Sequence, residues 1–190
     1  MEEASEKMRV SQEEMEKSHQ RIVDGAARLV RKRGIERTSV ADVMNEAGLT
    51  HGGFYRHFKT KDELVTAALE AAFARMTADI EARLEKLGPE AAIADYHAHY
   101  LSKEHVAHPE IGCPVAAVGA DVAREPDATK IAFGEGVKRV IETLAKGMRG
   151  AKQQKLERAA RELAMLAGAV TIARASDPDT AREILAACRL

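Results

Sequence analysis

The chain contains no tryptophan, and aromatic residues make up only 4% of it. Sandwiches and barrels draw on aromatic and β-branched side chains, so this scarcity argues against a β architecture. Only two cysteines occur, Cys113 and Cys188, with no Cys-x-x-Cys spacing. A disulfide scaffold and a thiolate zinc site are therefore not indicated, and a reducing compartment fits. Long apolar runs are missing as well. The longest uncharged stretch near the C-terminus, Leu163–Ala173, has 11 residues, against the roughly 20 that a membrane span requires. Met1–Ser18 is charged and has no apolar segment of the signal-peptide kind, so the expectation is a cytoplasmic protein with no membrane partner.

What is present favours helices. Of 190 residues, 45% are hydrophobic and 31% charged, enough apolar material for a folded core and too much for a disordered chain. Ala, Glu, Leu, Lys and Arg dominate, and these are the strongest helix formers. The net charge is −1, but it is unevenly spread. Between Lys17 and Lys61 ten Lys/Arg face four Asp/Glu, whereas from Glu63 onward 17 face 19. A basic N-terminal module on a near-neutral remainder points to an anionic partner for that module alone, with nucleic acid the commonest.

Apolar residues recur at helical spacing over most of the length, and no stretch alternates with period two for long enough to suggest a strand. The reading is all-α, about nine helices. Ser11-Gln-Glu-Glu14 reads as a capping box, so the first helix is expected from about Gln12 to Arg33. Gly34 supplies its left-handed cap. Ser39-Val-Ala-Asp42 opens a short second helix that ends at Gly48, and a third short helix carries Phe54, Tyr55 and Phe58. A fourth runs from Lys61 to Leu87 with a continuous apolar stripe. A fifth starts at Pro89 and is expected to reach about Val106. Further helices cover Pro114–Ala123, Pro126–Met148, Lys152–Ala175 and a last one ending at Cys188.

Two short helices around Gly48-Leu-Thr50 have the form of a helix-turn-helix, whose second helix enters the major groove. That second helix opens with Thr50-His-Gly-Gly53. Two glycines cost it roughly 2 kcal/mol of propensity relative to alanine, a loss explained if the backbone must approach a flat surface closely.

The run from Ile22 to Leu69, above all Thr38–Phe58 followed by Lys61-Asp-Glu-Leu64, resembles the DNA-binding domain of the TetR family of bacterial transcriptional regulators. Ala47-Gly48, Phe54-Tyr55-x-His57-Phe58 and Lys61 carry the likeness in register. The resemblance implies a DNA-binding head over residues 1–62 and a helical ligand-binding and dimerisation domain over 63–190. It also implies a homodimer, a double-stranded operator and a small-molecule effector that releases it, in the cytoplasm of a bacterium. No cofactor, metal or enzymatic activity is expected.

Within the head, the resemblance gives Tyr55 and His57 phosphate contacts. Lys61, at a helix start, combines its charge with free backbone N–H groups, and Ser39 offers its hydroxyl likewise. Thr50 and His51 are the expected base readers, with Gly52 and Gly53 admitting the backbone and Arg56 able to take a guanine edge or a phosphate. Leu163–Ala173 is apolar nearly all round, so one face should meet a partner subunit. Ala160, Leu163, Ala164, Ala167 and Gly168, with Ile184 and Leu185 of the last helix, form the expected dimer interface. Met76, His97, Tyr100, Cys113 and Phe133 are the candidate effector contacts.

Cys113 precedes Pro114 at a helix start, where free N–H groups and the helix dipole lower a thiol pKa. This leaves a thiol-based redox or electrophile sensor open as an alternative trigger. A cysteine hydrolase pairing Cys113 with His105 or His108 is the remaining alternative, though no oxyanion element or third orienting residue accompanies it.

Overall fold

The computed structural model describes residues 2–189. Within them nine α-helices and one 3-10 helix occur, and no strand. Helix α1 covers Glu2–Arg33, so it runs through Ser11 and is not capped there. The segment before Gln12 is rich in Glu, Lys, Met and Ala, all good helix formers, and its acidic residues favour the N-terminal end of the dipole. Helix α1 ends in Arg31-Lys32-Arg33, and Gly34 takes a φ of +88°. Any side chain at Gly34 would also crowd the Asp121 carboxylate.

Helix α2 (Val40–Glu46) is closed at its start by a full capping box: the Asp42 amide donates to the Ser39 hydroxyl, and the Ser39 amide donates to the Asp42 carboxylate. The next element corrects the sequence reading. Residues His51–Arg56 form a 3-10 helix, with Gly53 donating to the Thr50 carbonyl at 3.0 Å and His57 to that of Phe54 at 2.8 Å. Gly52 and Gly53 weaken α-helical preference, and six residues between two apolar anchors suit the tighter coil.

Helix α3 (Lys61–Leu87) starts at Thr60, whose hydroxyl accepts from the Glu63 amide, and ends at Gly88. The expected fifth helix is two. Helix α4 (Pro89–Tyr100) stops at buried Leu101, and Ser102 caps a new short helix, α5 (Lys103–Ala107), by accepting from the His105 amide. Helices α6 (Pro114–Val122), α7 (Asp127–Lys146), α8 (Lys152–Ala175) and α9 (Pro178–Ala187) complete the chain. None is long and apolar enough to cross a membrane.

Three apolar clusters organise these elements. The head cluster joins Ile22, Ala26, Met44, Phe54, Phe58 and Leu64. The body cluster gathers Phe73, Ile80, Tyr96, Val140, Leu144, Leu166 and Val170. Between them lies a joint of Val30, Ile35, Val65, Leu69, Val118 and Val122. Helix α3 contributes to all three, so head and body share one continuous rod, and its body half packs closely on α7. At that crossing Gly136 faces the Phe73 ring, leaving no room for a Cβ.

Two polar contacts brace the joint. The Asp121 carboxylate accepts from the Ile35 amide at 3.1 Å, and Arg31 Nη1 donates to the Gly112 carbonyl at 3.1 Å. Both reach from the end of α1 to the segment around α6, so the head's orientation is tied to the body at points other than α3.

Candidate functional site

The 3-10 helix presents a polar outer face on an apolar inner one. Phe54 and Phe58 turn inward and stack with ring centroids 5.9 Å apart. Thr50, His51, Gly52, Tyr55 and Arg56 are exposed, Tyr55 to 71%. Thr50 makes no capping bond, and nothing lies within 4 Å of a Cβ built on Gly52. The backbone is therefore open to a close-approaching surface there, whereas Gly53 lies against Met44.

The remaining head residues are more engaged than their sequence positions suggest. His57 is half-buried with its ring 5.7 Å from that of His19, and burial together with His19 and Arg56 pushes its pKa down. His19 itself stacks on Phe58 at 4.8 Å, a support that sequence reading missed. Its position three residues before Ile22 on the same helical face was the available signal. Ser39 uses its hydroxyl on Asp42 at 2.6 Å. Lys61 Nζ donates to the Ile35 carbonyl at 2.8 Å, so its charge braces the loop between α1 and α2 as well as standing at the start of α3. Arg28 pairs with Glu46 at 3.1 Å and fixes α2 against α1.

The five candidate effector contacts do not share one cavity. Met76, Tyr100 and Cys113 line a cavity of about 260 Å³ with Arg31, Tyr96 and His105. His97 lines a different one, of about 720 Å³, between α4, the end of α7 and the start of α8. There its Nε2 lies 3.0 Å from the Glu162 carboxylate, which also accepts from Arg158 Nε at 2.9 Å, and its Nδ1 has no partner. Phe133 lines neither cavity: it is partly buried, and its ring packs against the core edge-on to Phe73 at 5.3 Å.

Around Cys113 the expectation of a lowered thiol pKa is reversed. The thiol does stand at the start of α6, and the amides of Val115 and Ala116 and the Tyr100 hydroxyl act to lower it, but complete burial outweighs them and pushes it up. Desolvation disfavours a charged sulfur more strongly than a helix start favours it. His105 is equally committed. Its Nδ1 faces the Tyr100 carbonyl at 2.6 Å and its Nε2 accepts from the Cys113 backbone amide at 3.0 Å, so geometry selects one neutral tautomer. Burial pushes its pKa down to about 4. Placed so, the ring serves the backbone and does not reach for the thiol's proton, while His108 is paired with Glu104 and Glu110. No group of three or more His, Cys, Asp or Glu among the described residues is arranged to hold a metal ion.

Of the residues expected at a dimer interface, Leu163, Ala167 and Leu185 are buried in the chain's own core. Ala164 is exposed, Ala160, Gly168 and Ile184 are partly so, and Ile172 adds a large apolar side chain that is 46% exposed on α8.

Comparison with known proteins places residues 22–68 in the family described as bacterial regulatory proteins, tetR family. The chain is 41% identical over 64 residues to the HTH-type transcriptional regulator TtgR of Pseudomonas putida, covering 34% of this chain and 30% of that protein. It is 33% identical over 122 residues to an uncharacterized HTH-type transcriptional regulator of Mycobacterium tuberculosis, covering 62% of this chain and 60% of that one. It thus spans under two-thirds of the length of these relatives. Among solved structures, the reduced form of NemR from E. coli superposes with a TM-score of 0.73 at 20% identity, covering 90% of this chain and 95% of that one. A TetR transcriptional regulator from Legionella pneumophila gives 0.73 at 16% identity, covering 88% and 93%. These two likenesses extend the shared fold from the head through the body.

Proposed function

We propose that this chain, whose residues 22–68 match the family of bacterial regulatory proteins called tetR, is a homodimeric repressor of that family that binds a palindromic operator and is released by a small-molecule effector. The observation that carries the reading is the exposed face of the 3-10 helix, where Thr50, His51, Gly52, Tyr55 and Arg56 project together from a head whose other side is packed on Phe54 and Phe58. A recognition element needs such a surface: polar side chains that reach base edges and phosphates, on a scaffold too rigid to let them drift.

In this reading Thr50 and His51 meet base edges, Tyr55 and Arg56 meet the backbone or a guanine, and His57, Ser39 and Lys61 hold the register. Lys61 and Ser39 act chiefly through the loop and helix start that they brace, which follows from their internal bonds. Two heads related by a two-fold axis read inverted half-sites, with matching major-groove faces about 34 Å apart or a multiple of that. The exposed small-residue face of α8 around Ala164 and Gly168, flanked by Ile172 and Ile184, supports pairing of the bodies. The site of action is the bacterial cytoplasm, where operator DNA lies.

Release follows from the shared rod. An effector that binds more tightly to one arrangement of α3 and the joint shifts the spacing of the two heads, and DNA must reciprocally weaken that effector by the same factor. The division of labour in the head is tested by selecting preferred duplexes from a random library with three proteins. Tyr55→Phe is expected to keep the parent motif while weakening binding to all duplexes by several-fold. His51→Ala is expected to change the preferred base at one position of each half-site, because base-edge contacts specify sequence and phosphate contacts do not. A parent motif returned unchanged by His51→Ala removes His51 from the readers.

A further inference from the structure

The cavity of about 260 Å³ beside the joint has a wall chemistry that no internal bond completes. Tyr96 and Tyr100 are 3% and 2% exposed and both line this cavity; the Tyr96 hydroxyl has no hydrogen-bond partner, and that of Tyr100 has no nitrogen or oxygen partner and only the weakly accepting Cys113 sulfur beside it. Leaving a buried hydroxyl unpaired costs about 1–3 kcal/mol, so folded chains ordinarily avoid it. The third element is a cation. Arg31 is 4% exposed on the same wall, and its bonds go to two backbone carbonyls, Nε to Ala27 at 2.9 Å and Nη1 to Gly112 at 3.1 Å. Among the described residues no carboxylate pairs with it.

The neighbouring charges are already matched. Arg75 pairs with Asp24 and Arg83 with Asp79 and Asp95, while Glu110 hydrogen-bonds His108 and acts on Arg31 only from beyond ion-pair distance. Burial pushes the Arg31 pKa down to about 10, which still leaves it charged at neutral pH. His105 on this wall is neutral, because burial pushes its pKa down to about 4 and its Nε2 accepts from the Cys113 amide. A buried cation without a counter-charge is costly, and the cost falls when an anion occupies the space beside it. Ala72, Met76 and Ile111 make part of the lining apolar, while Arg75, Arg83, Asp79 and His99 also line it, so with Arg31 three guanidinium groups face one carboxylate, which Arg83 holds. The volume falls below the roughly 300–1,000 Å³ of pockets for drug-sized ligands, so the occupant is small.

We propose that this cavity is the effector site and that its ligand is a small organic carboxylate with a compact apolar body, held by Arg31 and by the hydroxyls of Tyr96 and Tyr100. The proposal rests on the reading of the chain as an effector-released regulator and specifies which cavity and which chemistry. It also gives the ligand a lever. Arg31 belongs to α1 of the head and donates to Gly112 in the segment that leads into α6, so a carboxylate competes with the Gly112 carbonyl for the same guanidinium. Occupancy thereby loosens one of the two polar braces between head and body, the other being the bond from Ile35 to Asp121.

The test uses benzoate and phenylacetate, each against its neutral amide, titrated by calorimetry into the DNA-free protein. At least one carboxylate is expected to bind tenfold or more tightly than its amide. In the Tyr96→Phe/Tyr100→Phe double variant that carboxylate is expected to bind at least tenfold more weakly, while the variant stays folded, since the only bond removed is the weak one between the Tyr100 hydroxyl and the Cys113 thiol. Carboxylates that bind no better than their amides, or a double variant that binds undiminished, overturn the site. In a parallel titration the carboxylate is expected to weaken operator binding by the parent and not by the double variant. Binding without that effect overturns the effector role. A chain that binds no duplex at all defeats the regulator reading instead, and the calorimetry on DNA-free protein separates the two failures.

Discussion

Gly168→Arg is expected to yield a folded monomer whose operator affinity is at least a hundredfold below that of the parent. Nothing lies within 4 Å of a Cβ built at Gly168, so the chain itself has room for the new side chain. Replacing a mid-helix glycine also gains about 1 kcal/mol of helix propensity. The damage is therefore confined to what meets α8 from outside. Across a two-fold axis the substitution appears twice, placing two guanidinium groups where small residues let two helices approach. Loss of the dimer then costs operator binding through avidity: two linked heads exceed one by factors of about 10²–10⁴ without any new contact to DNA. Light scattering reads the mass and fluorescence anisotropy the affinity. A variant that stays dimeric with parental affinity removes this face of α8 from the interface.

The second large effect is expected from Phe54→Ala. Phe54 is 1% exposed and packs against Phe58, with Tyr55 edge-on at 5.3 Å, so truncation removes the main apolar anchor of the 3-10 helix. Buried phenylalanine truncations cost about 3–5 kcal/mol, a large share of what a module the size of the head can lose. The head and body cores are separate clusters, joined by α3 and the Val30–Val122 joint. The expected result is lost DNA binding, with fast amide hydrogen exchange over residues 40–58 and protection retained over 127–173. Parental affinity in this variant contradicts the role given to the inner face of the head.

How far these features were legible from sequence depends on the kind of signal each one carried. Helix α3 was readable to its ends because Lys61 follows a threonine cap, Gly88-Pro89 stops it, and an unbroken apolar stripe lies between. Ser39 announced α2 through its capping box. The break between α4 and α5 was equally encoded, in Ser102 as a cap, but the apolar pattern continues across buried Leu101 and conceals it. The 3-10 geometry of residues 51–56 was less accessible. Two glycines mark an α-helix as weak without saying which coil replaces it, and packing of Phe54 and Phe58 decides that.

The cavity proposed for the effector shows the limit most clearly. Arg31 stands among three basic residues in the last turn of α1, yet the period that buries Ala27 also turns Arg31 inward one turn later. Its partner, the Gly112 carbonyl, is 81 positions away, and such a pairing is set by how α1 and the α6 segment pack, not by local pattern. Tyr100 was among the candidates and Tyr96 was not, although both stand one helical turn apart on the buried face of α4. Cys113 was correctly placed at a helix start, but the burial that governs its chemistry depends on the walls around it. His97 and Phe133 are close in sequence character to their fellow candidates, yet His97 lines a different cavity and Phe133 packs against the edge of the core.

Two copies of this head reading a symmetric DNA site would leave their mark in a selection from a random duplex library with the parent protein. The expected outcome is an enriched inverted repeat whose half-site centres fall on the same face of the duplex, about 34 Å apart or a multiple of that, bound by one dimer with an affinity that falls steeply with salt. No enrichment over the starting pool, or enrichment of a single asymmetric site bound by a monomer, would mean that the heads do not read DNA as a symmetric pair.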